Sequence, residues 1–215
     1  MSRSPFDGHG PRTILFARHA ETAWNRELRW QGRTDIPLSD IGRAQATRLA
    51  QRLGRLAEAG LPVSAIRSSQ LGRARETAEI VAAALGVTRL SLDHRLQERA
   101  FGVFEGRTRQ ECATCFPELW ARYEKDRSIL PPGGEPVTEV VARLEAAVRA
   151  ALAETADLPG AILVVGHGGA TRSLLQALFS RPFSPIANVG LIQVEVENGA
   201  FARVEELPDL LDGPD

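Results

Sequence analysis

Two apolar runs of strand length, Thr13-Ile-Leu-Phe-Ala17 and Ala161-Ile-Leu-Val-Val165, each give way at once to a polar segment holding a histidine. Arg18-His19 follows the first and Gly166-His167-Gly168-Gly169 the second. A continuous apolar run of about five residues bounded by turn signals reads as a strand buried on both faces. Such strands need helices above and below them, which favours a parallel sheet. In open sheets of that kind ligands sit beyond the carboxyl ends of the strands. Arg18, His19 and His167 are therefore expected on one edge of one sheet.

The residues between these runs supply the helices. Ser39 reads as the N-cap of a helix to about Leu56, with Ile41, Ala44, Leu49, Leu53 and Leu56 on or near its inner face. Ser64 to Arg67 reads as a strand, Ser68-Ser69 as a turn, and Leu71 to Leu85 as a helix closed by Gly86, with Arg73 in its first turn. Arg89 to Leu92 is a further strand, followed by a mostly polar helical stretch reaching Lys125. Pro131-Pro-Gly-Gly134 breaks the chain before a helix from about Val137 to Thr155. A helix carrying Leu174, Leu175 and Leu178 follows His167, and Leu191 to Val196 and Phe201 to Val204 flank an Asn198-Gly199 turn. The alternation predicts a mainly parallel sheet covered by helices on both faces. The expected organisation is a single domain over 1–215, with a leader at 1–12 and a small cap of loops and helices at 97–136.

Charge narrows the partners. The formal net charge is -1, so no broad positive field gathers nucleic acid or an anionic membrane. No apolar stretch reaches the roughly 18 residues of a membrane span, and 1–12 lacks the apolar core of a secretory signal. A cytoplasmic protein is expected. Cys112 and Cys115 form a C-x-x-C, but no second ligand pair accompanies them, and Thr108-Arg-Gln-Glu111 before them reads as a capping box. Residues three apart on a helix share a face, so both cysteines are expected in the core.

The chemistry lies at the strand ends. A phosphoryl group carries charge on its non-bridging oxygens throughout transfer, which guanidinium forks and aligned N–H groups stabilise. Arg18 and Arg73 are placed to provide that. A neutral imidazole attacks phosphorus in line and splits one hydrolysis into two steps, which suits His19. A single carboxyl group can protonate the departing alkoxide and later take a proton from water; Glu98, in its Leu-x-Glu setting, is the candidate, with Glu105, Glu111 and Glu135 as neighbouring alternatives. His167 is placed to donate to the phosphoryl oxygens. The plainer readings are a structural His19 and a surface Arg73 paired with Glu76 or Glu79. Glu135 is either near the pocket or a charge that solvates its loop, and Arg99 and Arg107 either meet an acidic substrate tail or are solvated. Trp24, Trp30 and Trp120 read as packing residues.

Arg18-His-Ala-Glu-Thr-Ala-Trp-Asn25, Gln31-Gly32, Ser68-Ser-x-Leu-x-Arg-Ala74, Leu96-x-Glu98 with Gly102 and Glu105-Gly106, and Gly166-His-Gly-Gly169, taken together, resemble the histidine phosphatase superfamily, the phosphoglycerate mutase-like family. The blocks stand in that family's order, and the match continues to Asn188. The resemblance implies that His19 is the phosphorylated histidine, that Arg18, Arg73 and His167 complete the phosphate pocket, and that Glu98 is the proton donor. It also implies substrate-binding positions at Asn25, Gln31, Gly32 and Gly168, a three-layer α/β/α sandwich, and neither metal nor cofactor. Ala20 departs from the family's usual Gly, which is tolerable only where φ is negative. Phe101 stands where similar mutases carry Tyr, which counts against phosphoglycerate binding.

The expected activity is hydrolysis of a small phosphorylated metabolite without a metal. Its rivals are a cofactor-dependent phosphoglycerate mutase, which generally carries a longer insertion before the second histidine, and a noncatalytic phospho-ligand binding relative. Neither nucleic acid nor membrane is an expected partner, and a homodimer is left open.

Overall fold

The computed structural model describes residues 11–208. Strands β1 (Arg12–Arg18), β2 (Val63–Ser68), β3 (Leu90–Leu92), β4 (Ala161–Gly166), β5 (Leu191–Glu197) and β6 (Ala200–Leu207) form one sheet in the order β3-β2-β4-β1-β5-β6. The first four are mutually parallel; β5 runs antiparallel to β1 and β6 antiparallel to β5. The expected leader lies mostly outside the described residues, but Arg12 does not belong to it. It opens β1 opposite Val196 and donates from Nη2 to the Thr155 carbonyl at 2.7 Å.

Alternation along the central strands builds two cores. Ile14 and Phe16 of β1 and Ile162 and Val164 of β4 face one side, while Leu15, Ala17, Leu163 and Val165 face the other. Helices α2 (Asp40–Glu58) and α3 (Gly72–Leu85) cover the second face, and α6 (Val137–Glu154) and α7 (Gly168–Phe179) the first. The result is a three-layer α/β/α sandwich.

Local signals set the ends of these elements. Ser39 caps α2 by accepting from the Gly42 N–H. Gly86, at φ 69°, closes α3 in the left-handed conformation that a side chain would strain. Asn198 and Gly199, both at positive φ, turn β5 into β6. The inner face of α2 differs from expectation: Gly42, Ala46, Leu49 and Leu53 are buried, while Ile41 and Ala44 are exposed. The first turn of α2 packs on the Glu21 carbonyl so closely that a Cβ at Gly42 would lie 2.1 Å from it. That leaves Ile41 outside.

Between β3 and α6 lies the cap. It contains a short helix after Thr108, α4 (Arg109–Cys115), then α5 (Pro117–Lys125), and its capping box is formed as expected. The stretch is less polar than anticipated, because Phe104, Cys112, Trp120 and Tyr123 form a core of their own, with Trp30 packed against it. Cys112 is buried but Cys115 is exposed, so only one cysteine is a core residue. α1 (Ala23–Arg26) is a single turn after β1. No helix among the described residues is long and apolar enough to cross a membrane.

Candidate active site

Hydrogen bonding that runs past the strand ends draws the polar residues together. Arg18 stands opposite Gly166, and the next donor, the His19 N–H, reaches the Gly166 carbonyl at 2.9 Å. On the other side of β4 the Ser69 N–H reaches the Val165 carbonyl at 2.9 Å. His19, His167 and Ser69 thus share one edge. The two imidazole centroids are 5.3 Å apart.

His19 is almost completely buried. Its Nδ1 lies 2.7 Å from the Ala20 carbonyl, which can only accept, so Nδ1 carries the proton and Nε2 keeps its lone pair. Burial, then the Arg73 and Arg18 charges, holds its pKa well below 6.5, against the pull of the Ala20 carbonyl. The backbone around it is fastened as well. The Ala20 N–H donates to Thr77 Oγ1 and Asn188 Nδ2 donates to the His19 carbonyl. Ala20 has no positive φ, so the methyl in place of hydrogen is unstrained.

His167 follows β4 and precedes α7. Its Nε2 is hydrogen-bonded to Ser69 Oγ at 2.9 Å, and its Nδ1 is buried without a partner. Its pKa too is pushed well below 6.5, first by burial and then by Arg73, His19, Arg18 and Arg143. Gly168 opens α7 against Arg18, whose Cδ would lie 3.0 Å from a Cβ there.

Arg73 is fully buried, not a surface partner of Glu76 or Glu79. Nη1 donates to the Thr34 carbonyl and Nη2 to the Gly32 carbonyl, while Nε has no partner. Burial lowers its pKa to about 10, opposed by Glu98 and Asp35. Arg18 donates from Nη1 to the Ile186 carbonyl and its Nε is likewise buried and unpaired; burial lowers its pKa against the pull of Glu98. Two buried guanidinium donors, Arg18 Nε and Arg73 Nε, are therefore left without a partner on the two cations that act on the neutral His19 imidazole, and His167 Nδ1 is buried and unpaired as well. Buried donors are seldom left so unless something accepts from them.

Glu98, 8% exposed, lies between two short 3-10 turns. Its carboxylate accepts from the Gly169 and Ala170 N–H groups at the start of α7 and from the Arg99 N–H. Asn25 closes a capping box with Thr22 and lies 3.4 Å from Asn188 Nδ2, which links it to the His19 carbonyl. Gly32, at φ 53°, presents its carbonyl to Arg73. Gln31 is buried, but its Oε1 meets none of the other candidates.

Several residues here carried no assignment in the sequence. Ser69 lies inside the Ser-Ser-x-Leu-x-Arg block, and Thr77 stands one turn after Arg73, accepting from Ala20 and donating to the Arg73 carbonyl. Glu105 accepts from the Arg33, Thr34 and Phe101 N–H groups and so fixes the turn that holds Arg73. Glu135 is not a solvating loop charge. It is 8% exposed and paired with Arg143 and Arg33; burial pushes its pKa up, but these two cations outweigh that and hold it low. Arg99 is buried with Nε on the Glu135 carbonyl, and Arg107 donates to the Val103 carbonyl over the Phe116 ring, so neither is merely solvated.

The Histidine phosphatase superfamily (branch 1) profile matches residues 14–206. An Arabidopsis thaliana relative, "Phosphoglycerate mutase-like protein 4", is 36% identical over 182 residues, 82% of this chain and 76% of that one. Among solved structures, a mycobacterial glucosyl-3-phosphoglycerate phosphatase in complex with VO3 superposes with TM-score 0.78 at 27% identity, over 91% of this chain and 97% of that chain. A phosphoglycerate mutase from Bacillus anthracis str. Sterne superposes with TM-score 0.79 at 26% identity, covering 95% of both. With the match running from β1 into β6, with His19, His167 and Arg18 at the strand ends and Arg73 in the first turn of α3, this chain belongs to the histidine phosphatase superfamily.

Proposed function

We propose that the chain is a cytoplasmic phosphoric monoester hydrolase that needs no metal and works through a phosphohistidine on His19. The observation that carries this is the tautomer: with Nδ1–H committed to the Ala20 carbonyl, Nε2 is an available nucleophile beside two buried guanidinium groups. Its lone pair forms the P–N bond as the ester P–O bond breaks. Glu98 gives its proton to the departing oxygen. Water then attacks phosphorus and yields a proton to Glu98, and the P–N bond breaks to restore the Nε2 lone pair. Arg18, Arg73 and His167 Nδ1 donate to the phosphoryl oxygens, and Asn25, Gln31, Gly32 and Gly168 line the same pocket.

A second reading, transfer back to the substrate as in a mutase, has support from the mutase-named relative and structure. One experiment separates them. Phosphate release is measured for wild type and His19→Ala across small phosphate monoesters with chelator present, including 3-phosphoglycerate with and without a bisphosphoglycerate primer. Chelator-insensitive release lost in His19→Ala, with acid-labile, base-stable phosphate trapped on wild type, is the expected outcome. Interconversion of 3- and 2-phosphoglycerate without release would make it a mutase, and silence on both counts a binding protein.

A further inference from the structure

Arg143 of α6 makes no hydrogen bond to His19, yet both of its Nη nitrogens donate to the segment that carries Glu98. Nη1 donates to the Arg95 and Gln97 carbonyls, both at 2.6 Å, and Nη2 to the Glu98 carbonyl at 3.1 Å. The Gln97 carbonyl belongs to the peptide plane before Glu98 and the Glu98 carbonyl to the plane after it. Those two planes fix φ and ψ of Glu98 and hence the direction of its Cα–Cβ bond. One rigid cation thereby sets the base from which the Glu98 carboxyl group swings.

The cation is itself held. Glu135 accepts from Arg143 through both oxygens, Nε to Oε1 and Nη2 to Oε2, each at 2.8 Å. A planar fork gripped at two points keeps its remaining N–H groups aimed. Glu135 also reaches the same segment through its backbone: its N–H donates to the Ala100 carbonyl and its carbonyl accepts from Arg99 Nε. The Arg99 N–H in turn donates to Glu98 Oε1. Glu98 is thus framed on both sides by one pair. Arg33, at the rim beside Gly32, takes the second lone pair of Glu135 Oε1 at 2.8 Å and ties the frame to the turn that holds Arg73.

We propose that Arg143 and Glu135 are positioning residues for proton transfer, holding the Glu98 backbone so that its carboxyl group reaches the leaving oxygen. This rests on the assignment of Glu98 as the proton donor. An acidic phenol leaves without protonation whereas an alkoxide does not, so misplacing the donor penalises alkyl esters selectively. A lysine at 143 keeps a charge for Glu135 but cannot span both peptide planes and the carboxylate together.

The test is the ratio of kcat/KM for the best alkyl phosphate to that for p-nitrophenyl phosphate in wild type, E98Q, R143K, E135Q and the double variant E98Q/R143K. Because kcat/KM covers steps only through departure of the alcohol, the ratio excludes the later activation of water. R143K and E135Q should each lower it, R143K by about ten-fold or more, and the double variant should match E98Q alone. Should R143K fail to fold, E135Q, which keeps the volume and one acceptor, carries the test. An unmoved ratio in R143K or E135Q, with E98Q lowering it, overturns the positioning role alone, as does a further fall in the double variant. An unmoved ratio in E98Q removes the proton donor and the positioning role with it.

Discussion

The two buried imidazoles make the acid limb of stability a property of single residues. His19 and His167 are held well below 6.5, chiefly by burial and next by Arg73. In the unfolded chain each titrates at about 6.5. Below that pH the unfolded state therefore binds protons that the folded state refuses, and stability falls as pH falls. The contribution is complete above about 6.5 and is lost on the way down to the folded pKa values, at a limiting slope of about 1.4 kcal/mol per pH unit for each imidazole. Urea unfolding at pH 8, 7, 6 and 5.5 should show this decline, and His19→Asn should flatten it by removing one of the two groups. A wild-type profile level from pH 7 to 5.5 would mean that the folded protein carries a charged imidazole after all. The same depression keeps the His19 lone pair available in mildly acidic buffer, so geometry and titration serve one end.

At the level of elements, the decisive contact is between two loops. Gly102, at φ 54°, lies against the Pro132 carbonyl, which a Cβ would approach to 2.0 Å, while the Val103 N–H donates to that carbonyl at 3.0 Å. Phe101 pairs across from Gly134, next to Glu135. Gly102→Ala therefore meets positive φ and a backbone clash at once. We expect it to destabilise the fold on the order of 2 kcal/mol, read as a lowered Tm. An unchanged Tm would show that the two loops part without cost. This apposition could not be read from the chain, because nothing periodic links residue 102 to residue 132. What could be read had local causes: Ser39, Gly86, Thr108 and the Asn198-Gly199 turn each act within a few residues, and the apolar runs ending at His19 and His167 announce both strand and site. The buried face of α2 departs from its hydrophobic pattern for the opposite reason: hydrophobicity points to Ile41, while close packing on the Glu21 carbonyl selects Gly42. The sequence leaves Glu135 between two readings and gives Arg143 none, because the partners that define them include backbone carbonyl groups, which a sequence does not display.

Across the whole molecule the apolar material is unevenly shared. Among the described residues, eighteen buried ones form the core on one face of the sheet and fifteen on the other, whereas the cap has Phe104, Cys112, Trp120 and Tyr123, with partly buried neighbours such as Trp30. Since burial of apolar area is the main source of stability, the cap should open at a lower free energy than the sandwich. The chain offers a built-in reporter for this. All three tryptophans belong to the cap or its border: Trp30 and Trp120 pack edge to face, and Trp24 lies against Gly106. Far-UV circular dichroism, in contrast, is dominated by the helices and strands of the sandwich. In a urea titration the fluorescence transition should therefore precede the dichroism transition. Coincident transitions, the mark of two-state unfolding, would instead mean that the polar ties through Glu105, Glu135 and Arg143 bind cap and sheet into one cooperative unit. The site would then be no less rigid than the fold that carries it.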